Sequence, residues 1–129
     1  MAYYFSKTVK GSFEEVKERA TAALKAEGFG VLTQIDVRQT LKAKLGEEFR
    51  NYVILGACNP PFALKALQAE DKIGTMLPCN VVLQEPEPGS VEVAAVDPIA
   101  SMQAVKNNEL MSIATEVRQK LKRVIDSLE

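Results

Sequence analysis

The sequence predicts an α+β fold in which a mostly antiparallel sheet is covered on one face by helices. The elements follow the order β-α-β-(α)-β-α-β-β-α-α, and two consecutive strands are joined by a short turn. A long amphipathic helix closes the chain. A strand hairpin beside separate helices is typical of α+β domains, whereas strict alternation of strands and helices builds a parallel sheet.

The first strand and helix are marked by composition and by a cap. Residues 2–9 are rich in aromatic and β-branched side chains, which favours a strand. Ser12 and Glu15 form a capping box, in which the Ser12 hydroxyl accepts from the Glu15 amide and the Glu15 side chain reaches back. The helix that follows has one apolar stripe and ends at Gly28, which suits a left-handed C-terminal position.

An alternating stretch and a short helix come next. In residues 31–38, apolar and polar side chains alternate, which predicts a half-exposed strand with Val31 and Thr33 on the same face. Residues 39–45 carry leucines one helical turn apart, and Gly46 follows as a stop signal. We therefore predict a short helix rather than a loop over these residues.

The middle of the chain predicts a buried strand, a helix and a further strand. The apolar run at residues 52–55 favours a central strand. Asn59 and Pro60 then suit the N-cap and the first position of a helix. Residues 73–85 form another apolar stretch that Pro78 interrupts. Because proline cannot donate a ladder hydrogen bond, Pro78 marks a strand start, edge or bulge.

The chain ends with a hairpin and helices. Residues 86–89 form a turn between the last two strands, and Asp97 with Pro98 repeats the pattern of a cap followed by proline. Six apolar side chains then recur along the last helix: Leu110, Ala114, Val117, Leu121, Val124 and Leu128. Their heptad spacing predicts a seam that packs onto the sheet, and the alternative is a helix–helix contact in a dimer.

Length, composition and charge limit the classes of function. The 129 residues predict a single domain over residues 1–129, and the net charge of −1 argues against a nucleic-acid binder, which normally carries a basic stripe. The N-terminus lacks a secretory signal, and no apolar run approaches the roughly 20 residues of a membrane span. We expect a cytoplasmic protein without a membrane partner. A sheet with one uncovered face also favours a homodimer, because that face must be polar or buried against a partner.

The absence of histidine restricts the available chemistry. It excludes catalysis by an imidazole and metal sites that need histidine ligands. Any chemistry must come from the two thiols, from carboxamides, from backbone amides at a helix start or from a borrowed cofactor, which the sequence does not identify. The search for a site therefore turns to the cysteines.

Two Cys-Asn dipeptides form the candidate ligand-binding site, whose residues are Cys58, Asn59, Pro60, Cys79 and Asn80. Cys58 lies where a buried strand meets a helix start, and there the helix dipole and free amides stabilise an anion and lower a thiol pKa. If the two strands are neighbours, both thiols and both carboxamides would line one cavity.

Three interpretations of these residues remain open. The cysteines are small buried hydrophobes and the asparagines tie loops, or the helix start forms a pocket for a small anionic or polar ligand. In the third interpretation the thiolates, with Met76 or Met102, bind a soft metal or act as a redox pair. Two cysteines without histidine leave a zinc site incomplete, so we assign no metal ligands. A Cys58–Cys79 disulfide is not expected in a cytoplasmic protein.

At the same residues the sequence resembles the family called Domain of Unknown Function 302. Residues 52–60 look like its first signature, and residues 73–74 with 77–82 look like its second. Residues 97–98 with Met102 are similar to its closing motif. The resemblance implies a small bacterial or archaeal protein with a TATA-binding-protein-like sheet, a long C-terminal helix and commonly a dimeric state. It implies no reaction and does not carry DNA binding across.

The sequence thus predicts a homodimeric module that is non-catalytic or binds a small ligand at the two Cys-Asn motifs. The alternative, from a different class, is a thiol-dependent redox or soft-metal-binding protein that uses Cys58 and Cys79. The first hypothesis predicts a concave pocket at the helix that starts at Pro60.

Overall fold

The computed structural model describes residues 2–129, which form five strands, five α-helices and one 3-10 helix. The 3-10 helix spans Asp71–Met76. The strands and α-helices are, in chain order, β1 (Tyr4–Lys10), α1 (Phe13–Ala26), β2 (Gly30–Asp36), α2 (Val37–Leu45), β3 (Tyr52–Cys58), α3 (Pro60–Ala69), β4 (Cys79–Glu87), β5 (Ser90–Val96), α4 (Pro98–Ser101) and α5 (Asn108–Asp126).

The five strands form one sheet in the order β1-β5-β4-β3-β2, and all neighbours are antiparallel. The α+β prediction is therefore confirmed. The hairpin places β4 beside β5, and β4 also pairs with β3, so the strands that carry the two cysteines are neighbours.

Helices α1 and α5 cover one face of the sheet. The sheet residues that point toward them, such as Leu55, Val81 and Val93, are at most 1% exposed. All six residues of the heptad seam are buried within the chain, five of them on α5 and Leu128 just after its end. The interpretation of the seam as a surface packed on the sheet is confirmed, and the seam is not available for a helix–helix contact in a dimer.

The ends of α1 follow the predicted signals. The Ser12 hydroxyl accepts a hydrogen bond from the Glu15 amide at 3.2 Å and donates to the Glu15 carboxylate at 3.0 Å. At the other end Gly28 adopts a φ of 89°, and the Phe29 amide donates to the Leu24 carbonyl. This Schellman arrangement turns the chain so that the Phe29 side chain enters the core.

The predicted side-chain alternation in β2 is wrong at one place. Val31 pairs with Ala57 and Thr33 pairs with Gly56, so the register shifts at Leu32. Because this bulge places one extra residue in β2, Val31 and Thr33 point to opposite faces of the sheet. The short helix over residues 39–45 is confirmed, although it begins earlier, at Val37, and the Asp36 side chain caps it.

The apolar stretch before β4 divides into two structures. Its first part belongs to the 3-10 helix, and β4 begins only at Cys79. Pro78 therefore stands immediately before a strand, which is one of the three roles that the missing amide hydrogen allows. The 3-10 helix was not predicted, and it buries a single apolar residue, Ile73.

Within residues 2–129, the face of the sheet opposite α1 and α5 carries half-buried and exposed side chains. We call this surface the uncovered face and define it by Tyr4, Tyr52, Ile54, Val82 and Ala94, which lie on four of the five strands. These side chains are half-buried or exposed, whereas their neighbours along β3 and β4 are buried. The uncovered face is therefore accessible, and it combines these apolar side chains with polar ones such as Gln84 and Glu92.

Candidate functional site

A cavity of about 340 Å³ lies between α3, α5 and the ends of β3 and β4. Its lining combines aliphatic and aromatic side chains with Cys58, Cys79 and Met102. Among the described residues of this lining, Asn59 alone carries an amide side chain and none carries a charge. The cavity therefore presents an apolar interior beside both thiols.

Helix α5 forms the floor of the cavity, and α3 with Leu32 forms its mouth. The floor residues Leu110, Ala114 and Val117 are buried, whereas Leu32 is 67% exposed and Leu67 is 44% exposed. Because the apolar side chains at the mouth meet solvent, the cavity opens at this side. An apolar molecule could enter there without crossing a polar barrier.

The two cysteines reach the cavity from adjacent strands. Cys79 pairs with Ala57, the residue before Cys58, so the two cysteines lie one residue out of register on neighbouring strands, and both residues contribute to the cavity lining. Both are free thiols, with Cys58 half-buried and Cys79 buried. Burial raises the pKa of the Cys79 thiol to about 11, and the neighbouring Cys58 adds to this rise. At neutral pH Cys79 is thus a protonated thiol, which makes it a poor nucleophile.

Asn59 has a different role from the predicted cap. It occupies the N-cap position of α3, but its side chain makes no capping hydrogen bond. Instead its Nδ2 donates to the carbonyl oxygen of Glu27 at 3.2 Å. The buried amide therefore joins the C-terminal end of α1 to the start of α3. Pro60 takes the first position of α3 as predicted and lies exposed outside the lining.

Asn80 does not join the other predicted site residues. It pairs with Gly56 on the uncovered face and lines a second depression, of about 370 Å³, together with Tyr52 and Val82. Side chains alternate between faces along a strand, so Cys79 and its neighbour must point in opposite directions. The expectation that both carboxamides line one cavity is therefore wrong for Asn80.

Of the two methionines considered as soft donors, only one lies at the cavity. Met102 is 5% exposed and lines the cavity, whereas Met76 is exposed and does not. Within residues 2–129, no three cysteine or carboxylate side chains are grouped so that they could hold a metal ion. The soft donors near the cavity are thus the two thiols and one thioether.

Two alanines that the site needs were missed by sequence reasoning. Ala66 of α3 and Ala114 of α5 are both buried in the cavity lining. Each sits in an apolar stripe at a position where a larger side chain would normally pack. The available signal in the sequence was the occurrence of small residues within these two stripes. This signal becomes informative only when α3 and α5 are known to face each other.

Comparisons with known proteins address the family and the fold. The family model described as Domain of unknown function DUF302 matches residues 5–128. Among solved structures, the chain is similar to the crystal structure of an uncharacterized conserved protein DUF302 from Bacillus stearothermophilus. The sequence identity is 30%, the TM-score is 0.91, and the match covers 100% of both chains. A comparison with curated proteins found no match.

Proposed function

We propose that this chain, which belongs to the DUF302 family, is a homodimeric protein that binds a small, largely apolar ligand in the cavity beside Cys58 and Cys79. The observation that carries the proposal is the apolar cavity itself. It is a solvent-open cleft of about 340 Å³ whose lining carries no charged side chain, and a concave apolar surface of this kind is typical of small-molecule sites.

The size and lining of the cavity fit a small organic molecule. Ligand pockets typically have volumes from about 300 Å³ upward and are lined mainly by hydrophobic side chains. At about 30 Å³ for each water-sized group, the cavity has room for roughly eleven non-hydrogen atoms. The lining supports an apolar ligand over the small anionic or polar ligand expected from the sequence, because a buried charge would have no charged partner there.

Protection of Cys58 from alkylation tests the proposal. Cys58 is half-buried in the lining, so a molecule in the cavity should hinder its reaction with a maleimide. We expect saturating 1-octanol to slow modification of Cys58 several-fold, as followed by mass spectrometry of the peptides. Glutathione in the same solutions controls for any effect of octanol on the reagent. An unchanged rate at Cys58 at every octanol concentration would contradict the proposal.

The uncovered face supports the homodimer part of the proposal. Tyr4 is 41% exposed and Ile35, which pairs with Ile54, is 48% exposed. Five strands of about seven residues give a face of roughly 500 Å² in projection. This is of the order of the ~800 Å² of accessible surface that each partner buries in a standard interface. A second copy that covers this face would bury its apolar side chains.

Light scattering after size exclusion tests the dimer. We expect a mass of twice the 14.1 kDa of one chain at micromolar concentration. Val82→Lys should shift the protein to the monomer, because it puts a charge at the middle of the proposed interface. Leu45→Lys is the control, since Leu45 is 67% exposed on α2 and should leave the dimer intact. A monomeric native protein would refute this part.

A thiol-dependent function is the second candidate. The observation that favours it is the placement of Cys58, Cys79 and Met102 in one lining. The raised pKa of Cys79 opposes it, because redox exchange and soft-metal binding both use the thiolate. The test is the rate of Cys79 alkylation as a function of pH. A rate that is half-maximal near pH 9 rather than near pH 11 would favour this candidate over the first.

A further inference from the structure

We propose that the ligand of the cavity is an amphipathic anion, with a chain of about eight to ten carbons inside and its anionic head at the mouth beside Lys65 and Lys120. This inference rests on the proposed function, since it specifies the ligand of the same cavity. The evidence specific to this inference is a pair of positively charged side chains that lie beside the cavity and are not part of its lining.

Two ammonium groups from different helices converge on one ring of the lining. The Nζ of Lys65 in α3 lies 5.7 Å from the centroid of the Phe62 ring. The Nζ of Lys120 in α5 lies 5.9 Å from the same centroid. Both distances fall within the range of a cation–π contact. Because Phe62 lines the cavity, both ammonium groups lie within cation–π distance of a ring of the lining.

These two ammonium groups are not held in ion pairs. Within residues 2–129, neither Lys65 nor Lys120 takes part in an ion pair. Helix α3 contains no acidic residue. On α5, Glu116 lies one turn before Lys120 and forms no ion pair with it. The edge of the cavity at Phe62 is therefore a place of unpaired positive charge.

The interior and the edge together define the chemical class of the ligand. A charged head would be costly inside the uncharged lining, so it must stay at the mouth in contact with water. An anion at the mouth would be attracted by both lysines, whereas a cation would be repelled. Room for roughly eleven non-hydrogen atoms fits one unbranched chain with a carboxylate.

Calorimetric titration of three probes with the same chain tests the inference: octanoate, 1-octanol and octylammonium. In dilute buffer we expect octanoate to bind about fivefold tighter than 1-octanol and octylammonium to bind more weakly than either. Raising the salt from about 20 mM to about 500 mM should weaken octanoate and leave 1-octanol unchanged, because only the charged head is screened.

Substitution of both lysines supplies the matched test. The double variant Lys65→Gln, Lys120→Gln should lose about fivefold in affinity for octanoate and keep the affinity for 1-octanol. Lys10→Gln is the control, because Lys10 lies at the hairpin end of the sheet, opposite to the cysteines. Cys58 protection reports whether each probe occupies the cavity.

The outcomes separate this inference from the proposed function. If 1-octanol binds and protects Cys58 but octanoate binds no tighter, the charged-head inference is wrong and the apolar cavity stands. The same holds if the double variant binds octanoate as well as the native protein does. If none of the probes binds or protects Cys58, both the inference and the proposed function are wrong.

Discussion

Enlarging one alanine in the cavity should cost far less stability than enlarging an alanine in the packed core. Ala66 lines the cavity on α3 and is 4% exposed, whereas Ala20 on α1 is fully buried and lies outside the lining. Both alanines lie in helices, so leucine carries the same small helix-propensity cost at each position. The two substitutions therefore differ mainly in the space that they meet.

The magnitudes follow from the volume. Ala66→Leu adds three carbon groups, which fill about a quarter of the cavity of about 340 Å³. Burying them gains about 2 kcal/mol at ~0.8 kcal/mol for each group, and ordering the leucine costs about 0.5–1 kcal/mol. We expect the free energy of unfolding to rise by about 1 kcal/mol. In Ala20→Leu the same atoms overpack the core, and the free energy of unfolding should fall by about 1–3 kcal/mol.

Urea unfolding measures both effects, and titration with 1-octanol measures the consequence for binding. Ala66→Leu should bind 1-octanol at least about fivefold more weakly, because it removes space from the site. Equal loss of stability in the two variants would show that no void exists beside Ala66. Unchanged binding in a stable Ala66→Leu protein would show that the probe binds elsewhere.

Two further predictions concern β3 and β4. Gly56→Ala should lower the free energy of unfolding by about 1–3 kcal/mol, because its Cβ would come within 2.7 Å of the Pro78 ring and closer still to the Thr33 hydroxyl. Gly30→Ala, where no atom lies within 4 Å, is the control in urea unfolding and should be nearly neutral. The folded pKa of Cys79, about 11 against 9.0 for an ordinary thiol, predicts a loss of stability that starts only as the pH rises above 9. By pH 11 the loss reaches about 2–3 kcal/mol relative to Cys79→Ala, and parallel pH profiles of the two proteins would contradict this pKa.

The fold was largely predictable because its signals are local. The capping box at Ser12, the left-handed Gly28 and the helix start at Pro60 each act within one turn of chain. The seam on α5 is also visible in the sequence, since its period matches one buried face. The bulge at Leu32 was not predictable, because it depends on how β2 pairs with β3, and an alternating sequence gives no sign of one extra residue.

The candidate site was predicted only in part, because contacts between distant segments determine which residues line it. Cys58 and Cys79 line one cavity because their strands are neighbours. The predicted shared cavity depended on this pairing of the strands. Asn80 follows Cys79 directly and therefore points to the other face, a consequence of strand geometry that residue identity does not reveal. The apolar character of the cavity depends on α3 facing α5, and no local pattern specifies that contact.

The most direct test of the apolar binding cavity is a titration of the isotopically labelled protein with 1-octanol, followed by amide chemical shifts. We expect saturable shift changes at residues of the lining, including Ala66 and Ala114, and little change at Tyr52 and Val82 on the uncovered face. Changes confined to the uncovered face, or none at the lining of a folded protein, would contradict the account.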